Sequence, residues 1–292
     1  MSKPSANIRG KFHAARRWIS AVLLAVCCGV VAAYAETPND FHFSIIGDRT
    51  GGASPGIYER VWREVEALHP AFVINVGDTI EGGDDTRAER EWLALRPLWA
   101  RYLVYFTPGN HDVFSEASRK IYEQQTGRPA FYSFDYQQAH FTVLDNSRSD
   151  ELSESQLEFL RRDLEKNKEK SPKFIFFHRP FWIPYVMFKS GDFPLHRIAR
   201  KYGVTYVING HMHQFMHMTH DGITYMVVGS SGGSIGRGLK VGQGFREGWF
   251  FQHISAKVTG ANVKFTVKEL DGVQAHGRSF DAAEWDRTRP KF

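Results

Sequence analysis

Short apolar runs rich in β-branched and aromatic residues alternate along this chain with longer amphipathic stretches. Residues 41–46, 71–76, 102–107, 173–177 and 204–208 form the apolar runs, which predict β-strands. Helical periodicity is found over residues 55–68, 86–99, 115–125, 153–168 and 193–201. Strands that alternate with helices in this way are typical of an α/β domain.

Two further pairs of apolar runs have no helical stretch between their members. These pairs are 131–136 with 141–145, and 249–254 with 263–270. Each pair predicts a β-hairpin, so we expect sheets that mix parallel and antiparallel strands. The glycine-rich segment 229–244 is predicted to be one long mobile loop.

The first 35 residues differ in composition from the rest of the chain. They carry five bases and no acid, followed by an apolar run over 19–33 and by Ala-Tyr-Ala at 33–35. This pattern predicts a secretory signal cleaved after Ala35, a linker over 36–40, and a periplasmic or secreted protein. The alternative is an uncleaved membrane anchor, although the run is shorter than the roughly 20 residues of a spanning helix. Arg16-Arg17 leaves twin-arginine export and the general route equally open.

The basic character of the chain belongs to this N-terminal segment. Removing its five bases from the 37 Lys and Arg leaves 32, which equals the 32 Asp and Glu. A nucleic-acid-binding patch is therefore not expected, because such proteins need a basic surface. Both cysteines, Cys27 and Cys28, also lie in the segment. Any metal site in the mature domain must consequently use His, Asp, Glu or Asn ligands.

Residues with metal-binding or catalytic chemistry follow the predicted strands directly. In chain order they are Gly47-Asp48, Gly77-Asp78, Gly109-Asn110-His111-Asp112, His178 and Gly210-His211-Met212-His213. Ligands of open α/β sheets bind at the carboxyl ends of the strands. We therefore expect all five motifs to contribute to one site.

These motifs, taken in order from about residue 41 to 213, resemble those of the calcineurin-like metallophosphoesterase superfamily. The resemblance implies an α/β four-layer sandwich, in which two mixed β-sheets pack together and helices cover the outer faces. We assign this domain to residues 41–270 and a C-terminal extension to residues 271–292. The resemblance also implies two divalent metal ions, and mixed carboxylate and imidazole ligands suit Mn, Fe or Zn.

The family pattern implies a role for each motif residue. Asp78 would bridge both metal ions. Asp48 and His213 would complete the first ion, whereas Asn110, His178 and His211 would complete the second. A hydroxide between the ions would attack phosphorus, and a spacing of about 3.5–4 Å suits such an in-line displacement.

The predicted function is hydrolysis of phosphomonoesters or phosphodiesters. In this reaction His111 would act as the general acid that protonates the departing alkoxide. We place Asp112 with it in the catalytic group.

The chain departs from the family at Thr50, which stands where many members carry a histidine ligand of the first metal. Glu81 is the candidate replacement, either as a ligand or as a carboxylate that orients His111 by a hydrogen bond. A solvated loop acid is the alternative. Arg49 and Arg179 adjoin proposed ligands and are predicted to bind phosphate oxygens, unless they are surface charges or partners of nearby acids.

The stretch 180–188 is unusually apolar for a loop beside a polar centre. It predicts a pocket for an apolar or aromatic leaving group, a membrane contact, or packing against the neighbouring sheet. Two other functions compete with hydrolysis. Thr50 motivates a degenerate, non-catalytic family member that binds metal or a ligand in the cell envelope, and the apolar stretch motivates a surface module for lipid or protein. Retention of the other motif residues favours the hydrolase.

Overall fold

The computed structural model describes residues 40–188, 192–236, 244–270 and 277–288. The predicted signal sequence over 1–35 lies outside these ranges. The strands are β1 (Asp40–Ile46), β2 (Val73–Asn75), β3 (Val104–Phe106), β4 (Tyr132–Tyr136), β5 (Ala139–Val143), β6 (Lys173–Phe176), β7 (Tyr206–Asn209), β8 (Met216–His220), β9 (Ile223–Val227), β10 (Phe251–Thr259), β11 (Asn262–Leu270) and β12 (Ser279–Asp281).

The helices lie between these strands and after the last of them. They are α1 (Ile57–Leu68), α2 (Asp85–Leu95), α3 (Glu116–Thr126), α4 (Glu154–Lys166), α5 (Ile183–Phe188), α6 (Pro194–Lys201) and α7 (Ala282–Thr288), with 3-10 turns at Arg96–Leu98 and Phe245–Glu247. None of the helices in the described ranges has the length and apolar character needed to cross a membrane.

The strands form two six-stranded sheets. The first has the order β12-β11-β10-β1-β2-β3, and the second has the order β4-β5-β6-β7-β9-β8. In the first sheet β1 pairs in parallel with β2 and antiparallel with β10. In the second sheet β5, β6, β7 and β9 run parallel, with antiparallel neighbours at both ends. The predicted sandwich of two mixed sheets flanked by helices is confirmed.

An aromatic core fills the space between the sheets. The Phe43 ring stacks on Phe72 at 5.0 Å between centroids and meets the edges of Phe141 and Phe174 at 5.5 Å. All four side chains are buried. Helices cover the outer faces through two further apolar clusters, one around Trp62 and Trp92 and one around Leu160, Phe177 and Ile198. Because both faces of each sheet are covered, the central strands are apolar on both sides.

Local capping explains where three of the helices begin. The side chains of Asp84, Ser115 and Ser153 precede α2, α3 and α4 and accept hydrogen bonds from backbone N–H groups in the first turn. These bonds satisfy donors that a helix start leaves free.

Both predicted hairpins are confirmed as β4–β5 and β10–β11. The β8–β9 hairpin was not predicted, because β8 carries the polar sequence Met-His-Met-Thr-His at the sheet edge. Residues 277–288, within the segment assigned as a C-terminal extension, add β12 to the first sheet and α7 beside it. The prediction of a mobile loop over 229–244 is wrong for its first half, since residues 229–235 contain buried, hydrogen-bonded serines and glycines.

Candidate metal centre

The predicted metal ligands converge at the carboxyl ends of five strands, β1, β2, β3, β6 and β7. Ligand atoms of Asp78, His178 and His211 lie within 4.8 Å of one another, and so do those of Asp48, Asp78 and His213. Asp78 therefore belongs to both groups. One shared carboxylate between two ligand sets is the arrangement that a two-cation centre requires.

Left-handed backbone turns aim four of these side chains into the centre. Asp48, Asp78, His211 and His213 have φ angles of 52°, 56°, 74° and 53°. They are four of the seven non-glycine residues with positive φ in the described ranges. Each such residue costs about 1–3 kcal/mol unless the surrounding structure holds it. The concentration of this strain where the edges of the two sheets meet indicates a functional site.

Glycines before the ligands allow the strand ends to approach closely. A Cβ atom on Gly109 would lie 2.2 Å from Oδ1 of Asp78, and one on Gly210 would lie 2.6 Å from Oδ2 of Asp48. Any larger residue at these positions would displace a carboxylate of the centre. The Gly-X motifs in the sequence therefore reflect a steric requirement.

On the second-cation side, His178 is fully buried and its ring orientation is fixed. Its Nδ1 donates to the carbonyl oxygen of Val76 at 2.9 Å. Nε2 then lies 3.2 Å from Oδ2 of Asp78 and 3.2 Å from Oδ1 of Asn110. A histidine whose other ring nitrogen is held by a carbonyl is the usual form of a metal ligand.

Electrostatics on this side follow from burial and from the carboxylate. Although burial opposes charge on the ring, the nearby Asp78 raises the pKa of His178 to about 9. Burial and the neighbouring His178 lower the pKa of His211 to about 4, which keeps that imidazole neutral. Burial alone would raise the pKa of Asp78, but His178 holds it well below its usual range. Asp78 is therefore ionised, as a bridging ligand must be.

On the first-cation side, Asp48 is fully buried. Its Oδ1 accepts from the backbone N–H of His211 at 2.8 Å, whereas Oδ2 has no hydrogen-bond partner among the described residues. Burial raises the pKa of Asp48 to about 6. His213 donates from Nδ1 to the carbonyl of Ser234 at 2.7 Å, and its Nε2 lies 3.8 Å from Oδ1 of Asp48. A buried carboxylate oxygen without a partner is a site that a cation would satisfy.

Thr50 and Glu81 differ from what the sequence predicted. Thr50 is fully buried, and its hydroxyl has no partner in the described part of the chain. The Glu81 carboxylate accepts from the amides of Gly51, Gly52 and Ala53 at 3.3–3.4 Å. It belongs to neither ligand group. The half-buried carboxylate therefore supports the 51–53 loop and does not hydrogen-bond to the His111 ring. Ligation of a metal by Glu81 stays a prediction.

His111 is nevertheless oriented by Glu81, through the backbone. Its Nδ1 lies 2.8 Å from the Glu81 carbonyl oxygen and must donate to it. The backbone N–H of His111 donates to Oδ1 of Asp78 at 2.9 Å. The ring is half-buried, and Nε2 has no hydrogen bond within the described residues. This nitrogen is consequently available to a substrate.

Asp112 holds two loops together instead of contributing to the chemistry directly. Its Oδ1 accepts from the amides of Thr79 and Ile80 at 2.9 and 3.2 Å, and its Oδ2 accepts from Gly109 at 3.0 Å. The residue is fully buried, which raises the pKa of its carboxyl to about 7. The prediction of a catalytic Asp112 is therefore corrected to a positioning role, because both oxygens are used by the backbone.

Residues 39–215 match the family model of the calcineurin-like phosphoesterases. The chain belongs to this family. None of the curated proteins matches it significantly in sequence.

Solved structures with the same fold include a purple acid phosphatase, PPD1, from yellow lupin (Lupinus luteus) seeds, with a TM-score of 0.63 and 16% identity over 84% of this chain and 54% of that one. PhoD has a TM-score of 0.58 and 13% identity over 85% of this chain and 69% of that one. GAP50, the anchor in the inner membrane complex of Plasmodium, has a TM-score of 0.54 and 12% identity over 86% and 95%. This chain thus spans about half the length of the lupin protein, and at these identities the likeness shows the fold alone.

In this calcineurin-like phosphoesterase, Arg49 and Arg179 already have protein partners. Nη1 of Arg49 donates to the Thr79 carbonyl at 3.3 Å. Arg179 donates from Nη1 to Asp150 at 3.0 Å and from Nε to the Ser147 carbonyl at 3.2 Å. Both side chains are half-buried beside the centre. Contact of either guanidinium with substrate stays a prediction.

Sequence patterns gave no sign that residues 229–236 support the first-cation side. The Ser230 hydroxyl donates to the Asp48 carbonyl at 3.0 Å, and the Gly233 amide donates to the same carbonyl at 2.8 Å. Ser234 accepts from His213. The loop therefore supports both candidate ligands of that side.

Asn146 was also missed, although its position at the end of β5 follows the rule that located the candidate ligands. Its Oδ1 accepts from the amides of His178 and Arg179.

The apolar stretch 180–188 packs mainly against the second sheet. Trp182 and Val186 are buried in the outer core, and the Trp182 indole donates to Oδ1 of Asn209 at 2.6 Å. Of the three predicted roles, packing is thus the one that the structure supports for most of the stretch. Phe181 and Tyr185 also line an apolar cavity of about 110 Å³, and binding of an apolar or aromatic leaving group there stays a prediction. Met187 and Phe188 are exposed at its end. A membrane contact there stays a prediction.

Proposed function

We propose that this protein is a metal-dependent hydrolase of phosphomonoesters or phosphodiesters. The observation that carries the proposal is the membership of Asp78 in both ligand groups. Asp48, Asp78 and His213 would hold the first cation, and Asp78, Asn110, His178 and His211 would hold the second. Two divalent ions, for which Mn, Fe or Zn suit the donors, would supply a nucleophilic water near neutral pH and stabilise charge on the phosphoryl oxygens.

His111 would give a proton to the leaving oxygen. Its Nδ1–H is committed to the Glu81 carbonyl at 2.8 Å, so Nε2 is the atom that carries the transferable proton. The hydrogen bond from the His111 backbone N–H to Asp78 keeps the ring beside the proposed bridging carboxylate. A histidine with one nitrogen fixed and the other free is suited to general acid catalysis.

The first test is metal-dependent hydrolysis by the purified protein. After treatment with a chelator, the protein is reloaded with Mn²⁺, Fe²⁺ or Zn²⁺ and assayed with p-nitrophenyl phosphate and bis(p-nitrophenyl) phosphate. We expect turnover with metal and none without it, together with two bound ions measured by mass spectrometry. Asp78→Asn should lose both the ions and the activity, whereas the exposed Asp192→Asn should lose neither.

Binding of metal without hydrolysis of either ester would overturn the proposal. It would favour a non-catalytic family member, for which the missing ligand at Thr50 is the supporting observation.

A second test addresses His111. His111→Asn should lower kcat by about 10²–10⁴-fold. The loss should be larger for alkyl esters than for nitrophenyl esters, because a nitrophenolate leaves without a proton. Metal content should remain at the wild-type level. Equal loss on both kinds of ester would argue against the acid role.

We further propose that the protein acts outside the cytoplasm, in the periplasm or after secretion. Support comes from the basic, apolar and Ala-Tyr-Ala segments within residues 1–35. N-terminal sequencing of the protein from cell fractions should give Glu36 as the first residue in the extracytoplasmic fraction. A chain that retains its first 35 residues in the cytoplasm would refute export, and one that retains them in the membrane would indicate an anchor.

A further inference from the structure

A polar cavity of about 410 Å³ lies in the loop between β5 and α4. Its volume falls within the range of roughly 300–1,000 Å³ that is usual for small-molecule sites. Three charged side chains line it, Asp145, Arg148 and Glu151, with serine and amide side chains around them. Leu152 is the one apolar side chain of the lining, and the lining contains no aromatic ring.

The cavity adjoins the metal centre through shared residues. Asn146 lines the cavity and also accepts from the backbone amides of His178 and Arg179. Ser147 lines the cavity and accepts from Nε of Arg179 through its carbonyl. The Arg179 side chain therefore lies between the cavity loop and the second-cation side. A group bound in the cavity can extend from an ester held at the centre.

Arg148, which lines the cavity, connects it to the element that follows His111. Nη2 of Arg148 lies 4.0 Å from Oε2 of Glu116, the first residue of the helix that follows the Asn110-His111 loop. The cavity loop therefore lies next to the start of this helix. Because a leaving group departs on the side of the general acid, this neighbourhood suits a leaving group.

Unused acceptors define the chemistry of the cavity. Oδ1 of Asp145 accepts from the amide and hydroxyl of Ser147 at 2.9 and 2.6 Å, which leaves Oδ2 without a hydrogen bond in the described ranges. The exposed carboxylate of Glu151 likewise has no ion pair or side-chain hydrogen bond among the described residues. Carboxylates accept hydrogen bonds from hydroxyl groups well. Because the lining carries two carboxylates and one guanidinium, it disfavours an anionic ligand. The cavity itself offers no ring for stacking; the rings of Phe181 and Tyr185 line a smaller cavity of about 110 Å³ that shares Glu151 and Leu152 with it.

We propose that this cavity binds the leaving group of the ester, and that this group is an uncharged polyol or sugar. The inference rests on the proposed phosphoesterase function and names its substrate class. Hydroxyl groups of the ligand donate to Asp145 and Glu151, and Arg148 donates to its oxygen atoms. The centre handles the phosphoryl group, and the cavity selects what is attached to it.

The test compares three leaving groups, of which glycerol and propyl differ in hydroxyl groups alone and phenyl is aromatic. Glycerol 1-phosphate, 1-propyl phosphate and phenyl phosphate are assayed with the metal-loaded protein, each as the monoester and as its methyl diester. We expect a kcat/KM for the glycerol ester about tenfold or more above that of the propyl ester, mainly through a lower KM. Glu151→Gln should raise the KM for the glycerol ester about fivefold and should change kcat less than twofold.

Two further variants complete the test. Glu165→Gln removes an exposed carboxylate on the helix that follows the cavity loop, and it should leave the KM of both esters within twofold. Ser149→Tyr places a ring in the cavity from an exposed position and should also raise the KM of the glycerol ester. If the glycerol and propyl esters react equally well, the polyol inference fails while the proposed function stands. If none of the three substrates reacts with metal bound, the proposed function fails and the inference fails with it.

Discussion

On the second-cation side of the centre, the ligands are held by the sheets themselves. His178 follows β6, donates to the residue after β2, and receives support from Asn146 after β5. On the first-cation side, Asp48 and His213 depend on loops. Ser230 donates to the Asp48 carbonyl, and the Ser234 carbonyl accepts from His213. The Glu81 carboxylate accepts from the amides of residues 51–53, which follow Asp48 in the chain.

This difference predicts unequal affinity for the two cations. His178 is fully buried, whereas the side chain of His213 is 13% exposed and its hydrogen bond to Ser234 lies at the surface. Contacts at the surface open at a lower free-energy cost than buried ones. The first-cation side also carries Thr50 where a further imidazole would add a ligand. We therefore expect the first cation to exchange more readily than the second.

Removal of one imidazole from each side tests the difference in cation affinity most directly. His178→Asn should lower kcat/KM about a thousandfold at any metal concentration, because it removes a ligand of the tightly held cation. His213→Asn should lower the affinity for the first cation about 10–100-fold, with most activity recovered in excess metal. Metal titration by calorimetry and activity at saturating metal give both values. Equal and irrecoverable losses in the two variants would contradict the proposed asymmetry.

A smaller effect is expected at Glu81, which supports the first-cation loop. Glu81→Ala leaves the amides of residues 51–53 without their acceptor and should weaken first-cation binding about tenfold. Glu81→Gln retains one acceptor oxygen and should fall between the alanine variant and the wild type. If Glu81 were a ligand, glutamine and alanine would weaken binding alike.

Thr50→Val tests the first-cation side by removing only the hydroxyl. Because this hydroxyl is buried without a partner in the described residues, its removal should stabilise the metal-free protein by about 1 kcal/mol. Urea unfolding in the presence of a chelator measures the change. Two cations should still bind. Loss of one of them would instead identify Thr50 as a ligand of the first cation.

The smallest effect concerns a carboxylate–histidine network away from the centre. His140 lies between Asp135 and Asp163, at 2.7 and 2.9 Å. Burial opposes charge on the ring, but the hydrogen bonds to Asp163 and Asp135 raise the pKa of His140. A raised folded-state pKa means that the network's contribution to stability is complete below about pH 6.5, the value of an unfolded histidine. The contribution is lost as pH rises through the folded-state pKa.

His140→Asn should therefore reduce the fall in unfolding free energy between pH 6 and pH 9. The difference between the variant and the wild type should be the same with and without bound metal, because His140 belongs to neither ligand group. A difference that disappears when metal binds would show that the network is coupled to the centre.

The main strands and the motif residues after them followed from local patterns in the sequence, and the resemblance to the family supplied the sandwich. Within one sheet, parallel strands place their carboxyl ends at one edge, so a polar residue after each run predicted neighbours. Asp48, Asp78 and Asn110 follow strands of the first sheet, whereas His178, His211 and His213 follow strands of the second, and their meeting depends on how the two sheets pack. The Gly-X form of the motifs was a local signal as well, because the close approach of two strand ends excludes a Cβ atom.

The roles of Glu81, Asp112 and the 229–236 loop were decided only by the tertiary structure. Glu81 and Asp112 carry the same chemical group as the ligands, but the direction of each side chain depends on turns and amides that no periodicity describes. Ser230 contacts Asp48 across 182 residues of sequence. Strand and helix periods repeat over a few residues, so they predict elements and edges. Contacts between loops far apart in the chain depend on how the two sheets pack, and that packing is not encoded in any single segment.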